Sequence, residues 1–418
     1  MASGRQTNVP IVGALVAMNV FMSIVQTNIA SLNLPISLEF HQNLYGLGLL
    51  VSGFFVAYGI FELPGGLFAF RVGAKKLLVL GGLIASAAAT ASAASPSFGV
   101  LIALRFLDGM GLGFAFPPIV VLLIRNLKAG STGLGAALVS TSFSLGGGIG
   151  VFGWAVLSLV IGWRESLLVG GALCLVSTLV LVWMLPADGP MVEPTRMVAA
   201  LKSVILNRQV LVIAVAFLGA GGATAIVTNF VVYYLEQHLG MAAESAGLIG
   251  GLTYFLPLFT SPFFGRLYDR GHSEKRIMLS GVALLAAGIG ATALDTVASA
   301  VVSVLAVGLA TGIFFTVGFS AARDRSPSQE MESFTVGFVD SFSLVGSFVS
   351  PLYFSVVVLD YGYPPAWLAG GVIAVALAIP LVFLRGRERN QPIPLHGSVP
   401  STRAARRNDH EQYRAPER

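Results

Sequence analysis

Twelve separate apolar runs, each near the ~20 residues that a helix needs to cross the hydrocarbon core of a bilayer, dominate this 418-residue chain. They fall at about 10–34, 45–70, 77–94, 98–124, 131–161, 166–185, 210–235, 245–265, 277–294, 297–321, 333–358 and 365–384. Composition agrees: 55% of the residues are hydrophobic and only 11% are charged, too few to cover a soluble domain of this size. The expected class is an all-α, polytopic protein of the plasma (inner) membrane. A signal peptide is the alternative for the first run. Its apolar region should hold roughly 7–15 residues, and this run is longer and contains Asn19, Gln26 and Asn28.

Basic residues set the expected orientation. With both chain ends in the cytoplasm, 23 of the 25 lysines and arginines fall on the inner side, leaving Arg164 outside and Arg105 within the membrane. So lopsided a distribution fits the positive-inside rule. Residues 186–209, with Pro186, Pro190 and Pro194, form the one long inner connection. The expected organisation is a cytoplasmic N-terminus at 1–9, a six-helix bundle at 10–185, a linker at 186–209, a second six-helix bundle at 210–384 and a disordered cytoplasmic tail at 385–418. The linker allows a short amphipathic helix near Thr195–Leu206. The arginine-rich tail suits contact with anionic lipid headgroups.

The two halves repeat at an offset of 199 residues. Gly48-Leu49 recurs as Gly247-Leu248, Gly66 and Arg71 as Gly265 and Arg270, Gly109 and Gly113 as Gly308 and Gly312, and SFSLGG at 142–147 as SFSLVG at 341–346. The glycines are doubled, so they read as packing common to both halves. The membrane charges are single: Arg105 aligns with Val304, Asp108 with Val307 and Asp340 with Thr141. Packing needs both copies, whereas a solute or a proton needs one.

A charge at mid-helix costs about 2.5–3.5 kcal/mol on insertion scales, which makes each one a candidate site. Arg105, Asp108, Gly109 and Leu112 share one helix face at i, i+3, i+4, i+7. Arg105 reads either as an anion-binding or proton-coupling cation or as a structural partner of Asp108, which could itself carry a proton. Asp340 reads as a proton or cation site, or as a helix–helix hydrogen bond. Gln26 and Asn28 in the first span, and Asn229 and Tyr233 in the seventh, read as cavity lining or as polar contacts between helices. Phe314 and Phe315 read as cargo contacts or apolar lining. Glu62 reads as a gate residue pairing with loop arginines.

Several classes are excluded. The single cysteine, Cys174, permits no intramolecular disulfide, and the five histidines lie outside the expected spans without metal-ligand spacing. No metal, cofactor or enzymatic constellation is expected. The net charge of +5 lies at the membrane edges and implies no nucleic acid.

These features resemble the major facilitator superfamily across residues 10–385. The family's loop signature, Gly-x-Leu-x-Asp-Arg followed by basic residues, is matched by GRLYDRGHSEKR at 265–276 and, without its acid, by GLFAFRVGAKK at 66–76. Its helix-4 signature is similar to RFLDGMG at 105–111. The resemblance implies two pseudo-symmetric bundles rocking about a central cavity. It also implies gate roles for Gly66, Arg71, Gly73, Gly265, Asp269 and Arg270. Phe70 stands where the first loop's acid belongs, so a symmetric gate is not expected. Helix 5 lacks the family's antiporter Gly-Pro pair, which favours symport or uniport. The resulting expectation is a monomeric, proton-coupled symporter of a small polar solute, with anions among the candidates. The alternatives are efflux of amphipathic compounds and a transport-inactive membrane sensor or scaffold.

Overall fold

The computed structural model describes residues 6–128, 132–187, 202–327 and 331–386, apart from the side chains at 67, 70, 71, 132, 133, 136 and 333. The expected segments 1–9, 186–209 with its surface helix at Thr195–Leu206, and 385–418 lie mostly outside the described residues. The described chain is helical, with twelve helices long and apolar enough to cross a membrane. They are α1 (Val9–Phe40), α2 (Leu44–Val72), α3 (Ala74–Ala93), α4 (Phe98–Asn126), α5 (Thr132–Ile161) and α6 (Trp163–Met184) in the first half. The second half holds α7 (Arg208–His238), α8 (Ala243–Asp269), α9 (Glu274–Leu294), α10 (Val297–Arg323), α11 (Glu332–Tyr361) and α12 (Tyr363–Phe383). An even number of spans brings both ends to one face, the terminal face; the opposite face is distal.

Each expected span is present, with one notable difference. The first was expected to end at about Leu34, and Pro35 follows, a residue type that biases its predecessor away from helix. Instead α1 runs through Pro35 to Phe40 and ends at His41, whose φ of 51° is left-handed. Tertiary anchors at the helix end outweigh the proline. The Phe40 ring packs 5.9 Å from Phe98 and 6.0 Å from Trp163, and Glu39 accepts from Trp163 Nε1 and Arg164 Nη2, each at 2.6 Å. The corresponding corner of the second half uses other chemistry. His238 and the Tyr234 hydroxyl, 2.9 and 2.7 Å away, both meet Asp295 between α9 and α10. Burial pushes the Asp295 carboxyl up, but these two contacts outweigh it and leave it below the ordinary range.

The repeat is a repeat of packing. In the first half α4 packs on α2 and α3, and α1 on α5 and α6; in the second α10 packs on α8 and α9, and α7 on α11 and α12. A β-carbon on Gly109 would run into the Phe54 carbonyl oxygen, and one on Gly308 would lie 3.1 Å from that of Thr253. Phe54 and Thr253 are themselves 199 residues apart, so the doubled glycines admit equivalent backbones. Association in lipid lacks a hydrophobic drive, and such close approach supplies the dispersion contact in its place. Hydrogen bonds pin α1 to α5 in constant register. The Asn19 amide donates to the Val139 carbonyl at 2.9 Å, Ser23 to Phe143 at 2.7 Å and Ser31 to Val151 at 2.6 Å, each spanning 120 residues.

The halves meet along α2–α11, α5–α8 and α1–α7. The Ser52 hydroxyl donates to the Phe348 carbonyl and the Asn33 amide to the Asn229 carbonyl, both at 2.7 Å and both in the distal half of the membrane.

Gly109→Val is expected to cost about 1–3 kcal/mol through overpacking, seen as a lower thermal midpoint in detergent. Gly13→Ala, where a β-carbon meets nothing within 4 Å, should leave that midpoint unchanged or slightly raised.

Candidate functional site

Helix α4 begins at the Ser97 cap, whose hydroxyl accepts from the Val100 N–H at 3.4 Å, and carries Arg105 two turns in. Arg105 donates from Nη1 to Asp108 Oδ2, one turn on, and both side chains are buried, 4% and 1% exposed. The guanidinium carbon sits 4.4 Å from the centre of the Phe54 ring, a cation–π contact out of water. Its Nη2 approaches the Gln26 carbonyl at 3.5 Å. Arg105 Nε and Asp108 Oδ1 have no hydrogen-bond partner among the described residues. The pair is therefore neutral as a unit but incompletely satisfied, which leaves capacity for a further polar partner.

Gln26 connects this pair to a small cleft. Asn19, Ser23, Gln26, Tyr58, Phe116 and Phe143 line it, all from α1, α2, α4 and α5. Its walls are aromatic: Tyr58 stands edge-on to Phe54 at 5.9 Å and to Phe116 at 6.4 Å, and Phe143 lies 6.4 Å from Tyr254 of the second half. Arg105 is one layer behind the cleft, with Gln26 and Phe54 between.

The other sequence candidates are distributed differently. Asn28 is buried, its Oδ1 without a partner among the described residues. Asn229 donates to the Ala225 carbonyl at 2.9 Å and receives Asn33 on its own carbonyl, so it joins α1 to α7 and does not line the cleft. Tyr233 is buried, within electrostatic reach of Tyr363 on α12. Phe314 and Phe315 pack 5.1 and 5.0 Å from Phe217, in the apolar core of the second half.

Glu62, read from sequence as a gate residue, lies in the membrane, 5% exposed and within electrostatic reach of Asp340 on α11. Gly66 lies against Pro117 and Gly265 against Thr316. Gly73 joins α2 to α3 with a φ of 107°, which favours glycine. Asp269 and Arg270 stand exposed at the terminal end of α8, with no ion pair among the described residues. The Arg71 side chain lies outside the described residues.

Sequence reasoning missed the cleft-lining Tyr58, Phe116 and Phe143. One signal was available for Tyr58: it precedes Glu62 by one turn on the same face.

A family model described as Major Facilitator Superfamily matches the chain twice, over residues 15–242 and 215–409. The chain is 30% identical over 278 residues to the 4-hydroxybenzoate transporter PcaK of Pseudomonas aeruginosa; the match covers 58% of this chain and 61% of that relative, less than two thirds of its length. It is 23% identical over 353 residues to the quinolone resistance protein NorA of Staphylococcus aureus, covering 80% of this chain and 87% of NorA. A crystal structure of a variant of the nucleoside transporter NupG superposes with a TM-score of 0.73 at 14% identity, covering 90% of this chain and 99% of that one, which establishes a shared fold. With twelve spans, an internal repeat of helix packing and a family model matching both halves, this multi-pass membrane protein belongs to the major facilitator superfamily.

Proposed function

We propose that the chain is a secondary active transporter that carries a small organic anion across the plasma membrane by alternating access, in symport with protons. The observation that carries this reading is Arg105, a buried cation one layer behind an aromatic cleft. A solute with a carboxylate and a planar ring satisfies both features. The cleft as it stands holds about 10 Å³, room for one water, so the ring enters only as Tyr58, Phe116 and Phe143 part, and its charge then answers the guanidinium. Likeness to PcaK, whose named solute is 4-hydroxybenzoate, supports that substrate class. The basic residues on the terminal face support cytoplasmic chain ends, with uptake running from the distal to the terminal face.

Charge bookkeeping favours a proton as the coupling ion. An anion entering beside Arg105 must displace Asp108 or meet it protonated, because two carboxylates on one guanidinium leave net charge in the membrane. Among the described residues no group of three or more His, Cys, Asp or Glu side chains is arranged to hold a metal ion. A second reading, efflux of amphipathic compounds, draws on the longer match to NorA and on the same aromatic walls. Competition separates the two readings: aromatic acids should inhibit uptake under the first and lipophilic cations under the second.

Removing Arg105 alone strands a buried carboxylate at a cost of about 3–5 kcal/mol, so the informative variant removes both charges. Arg105→Met with Asp108→Leu should insert and melt near the parent while uptake of 4-hydroxybenzoate into proteoliposomes falls to background; parental uptake would overturn the assignment.

Accumulation of the same probe should follow an inward proton gradient and collapse to equilibration when a protonophore is added. Accumulation that survives the protonophore and follows sodium instead would exclude proton symport.

A further inference from the structure

Helices α2 and α11 run antiparallel across the boundary between the halves, and their contacts step toward the terminal face together. Gly48 meets Pro351 and Ser355, Ser52 bonds to Phe348, and Gly59 meets Leu344. One further turn on each helix brings Glu62 opposite Asp340. They are the only charged side chains between Leu44 and Phe70 on α2 and between Phe334 and Leu359 on α11. Each half thus contributes a single acid to this seam, and the register sets the two facing one another within electrostatic reach. Glu62 is 5% exposed, and its Oε2 has no hydrogen-bond partner among the described residues.

Among the described side chains, neither Glu62 nor Asp340 makes an ion pair with a cation. On α4, Arg105 is engaged by Asp108, both lying toward the distal face from Glu62. Lys75 and Lys76 begin α3 at the terminal face. The membrane stretches of the other packed helices, residues 9–38 of α1, 209–235 of α7, 297–322 of α10 and 363–383 of α12, contain no Asp, Glu, Lys, Arg or His. Besides Asp340, the titratable neighbour of Glu62 is Tyr58, one turn away on α2 and within electrostatic reach of both acids. The tyrosines of α7 and α12 lie at their distal ends.

We infer that Glu62 and Asp340 form one proton-binding site shared between the two halves, occupied when the seam is closed. Two carboxylates facing one another inside the membrane, Glu62 buried and Asp340 half-buried, repel, whereas one carboxylic acid donating its O–H to one carboxylate is a strong hydrogen bond. Binding one proton converts a repulsion between the halves into a bond between them, and losing it reverses the change. No covalent bond other than O–H forms or breaks. Tyr58 belongs to this cluster and to the cleft wall, so occupation of the cleft and of the proton site meet at one residue. The cargo of that cleft rests on the transporter reading above; the proton site does not.

The test follows separation of the halves directly. Val72→Cys at the end of α2 and Arg276→Cys near the start of α9, in a Cys174→Ser chain, carry spin labels in lipid nanodiscs. Interlabel distances are measured between pH 5 and pH 8.5. The parent should shift from a closed to a separated population with the slope of one proton, Glu62→Gln and Asp340→Asn should each abolish the shift, and Glu62→Asp should restore it. A parent without a pH response, or either neutral variant with the parental response, overturns the inference. In proteoliposomes, Glu62→Gln should continue to exchange 4-hydroxybenzoate while accumulation driven by the proton gradient falls at least tenfold; undiminished accumulation also overturns it. If the parent moves no probe at all, the substrate reading fails, and the distance measurement still decides the proton site.

Discussion

The backbone approach of α2 and α4 at Gly109 is the constraint on which the rest of this membrane interior depends. Without a β-carbon there, the Phe54 carbonyl comes into contact with α4, and the Phe54 ring is held against the Arg105 guanidinium. That contact keeps water from the ion pair, so the attraction between Arg105 and Asp108 acts at low effective dielectric. The same helix pair presents Tyr58, one turn beyond Phe54, to the cleft. The second half solves the same steric problem at Gly308 over Thr253, with valines where the charges stand in the first. Shared packing and single chemistry therefore separate here: the glycines build both halves, and the Arg105–Asp108 pair stands in the first alone.

Much of this architecture was legible in the amino-acid sequence, for a physical reason. A helix in hydrocarbon must satisfy its own backbone, so spans announce themselves by length and apolarity. Gly109 and Gly308 were legible because the repeat printed them twice, and the Arg105–Asp108 pair because i, i+3 spacing is local. The cleft was not legible. An aromatic side chain in an apolar run looks the same whether it faces lipid, a neighbour or a cavity. Phe116 and Phe143 turned inward, whereas Phe314 and Phe315 went to the core around Phe217. The nearness of Glu62 to Asp340 was not legible either, because it is set by a register between helices that no local pattern encodes.

Helix α1 brings a mechanical consequence. It is interrupted at Thr27, whose hydroxyl turns back onto the Ser23 and Ile24 carbonyls at 3.1 and 3.0 Å. Below the break, Asn19 and Ser23 clamp the helix to α5; above it, Ser31 holds it to α5 and Asn33 ties it to α7 of the opposite half. A rod gripped on both sides of one soft joint bends at the joint. Thr27 adjoins Gln26, which is both a wall of the cleft and the carbonyl that Arg105 approaches. Thr27 thus sets the break in α1 beside the cleft, between the α5 contacts on one side of it and the tie to the opposite half on the other.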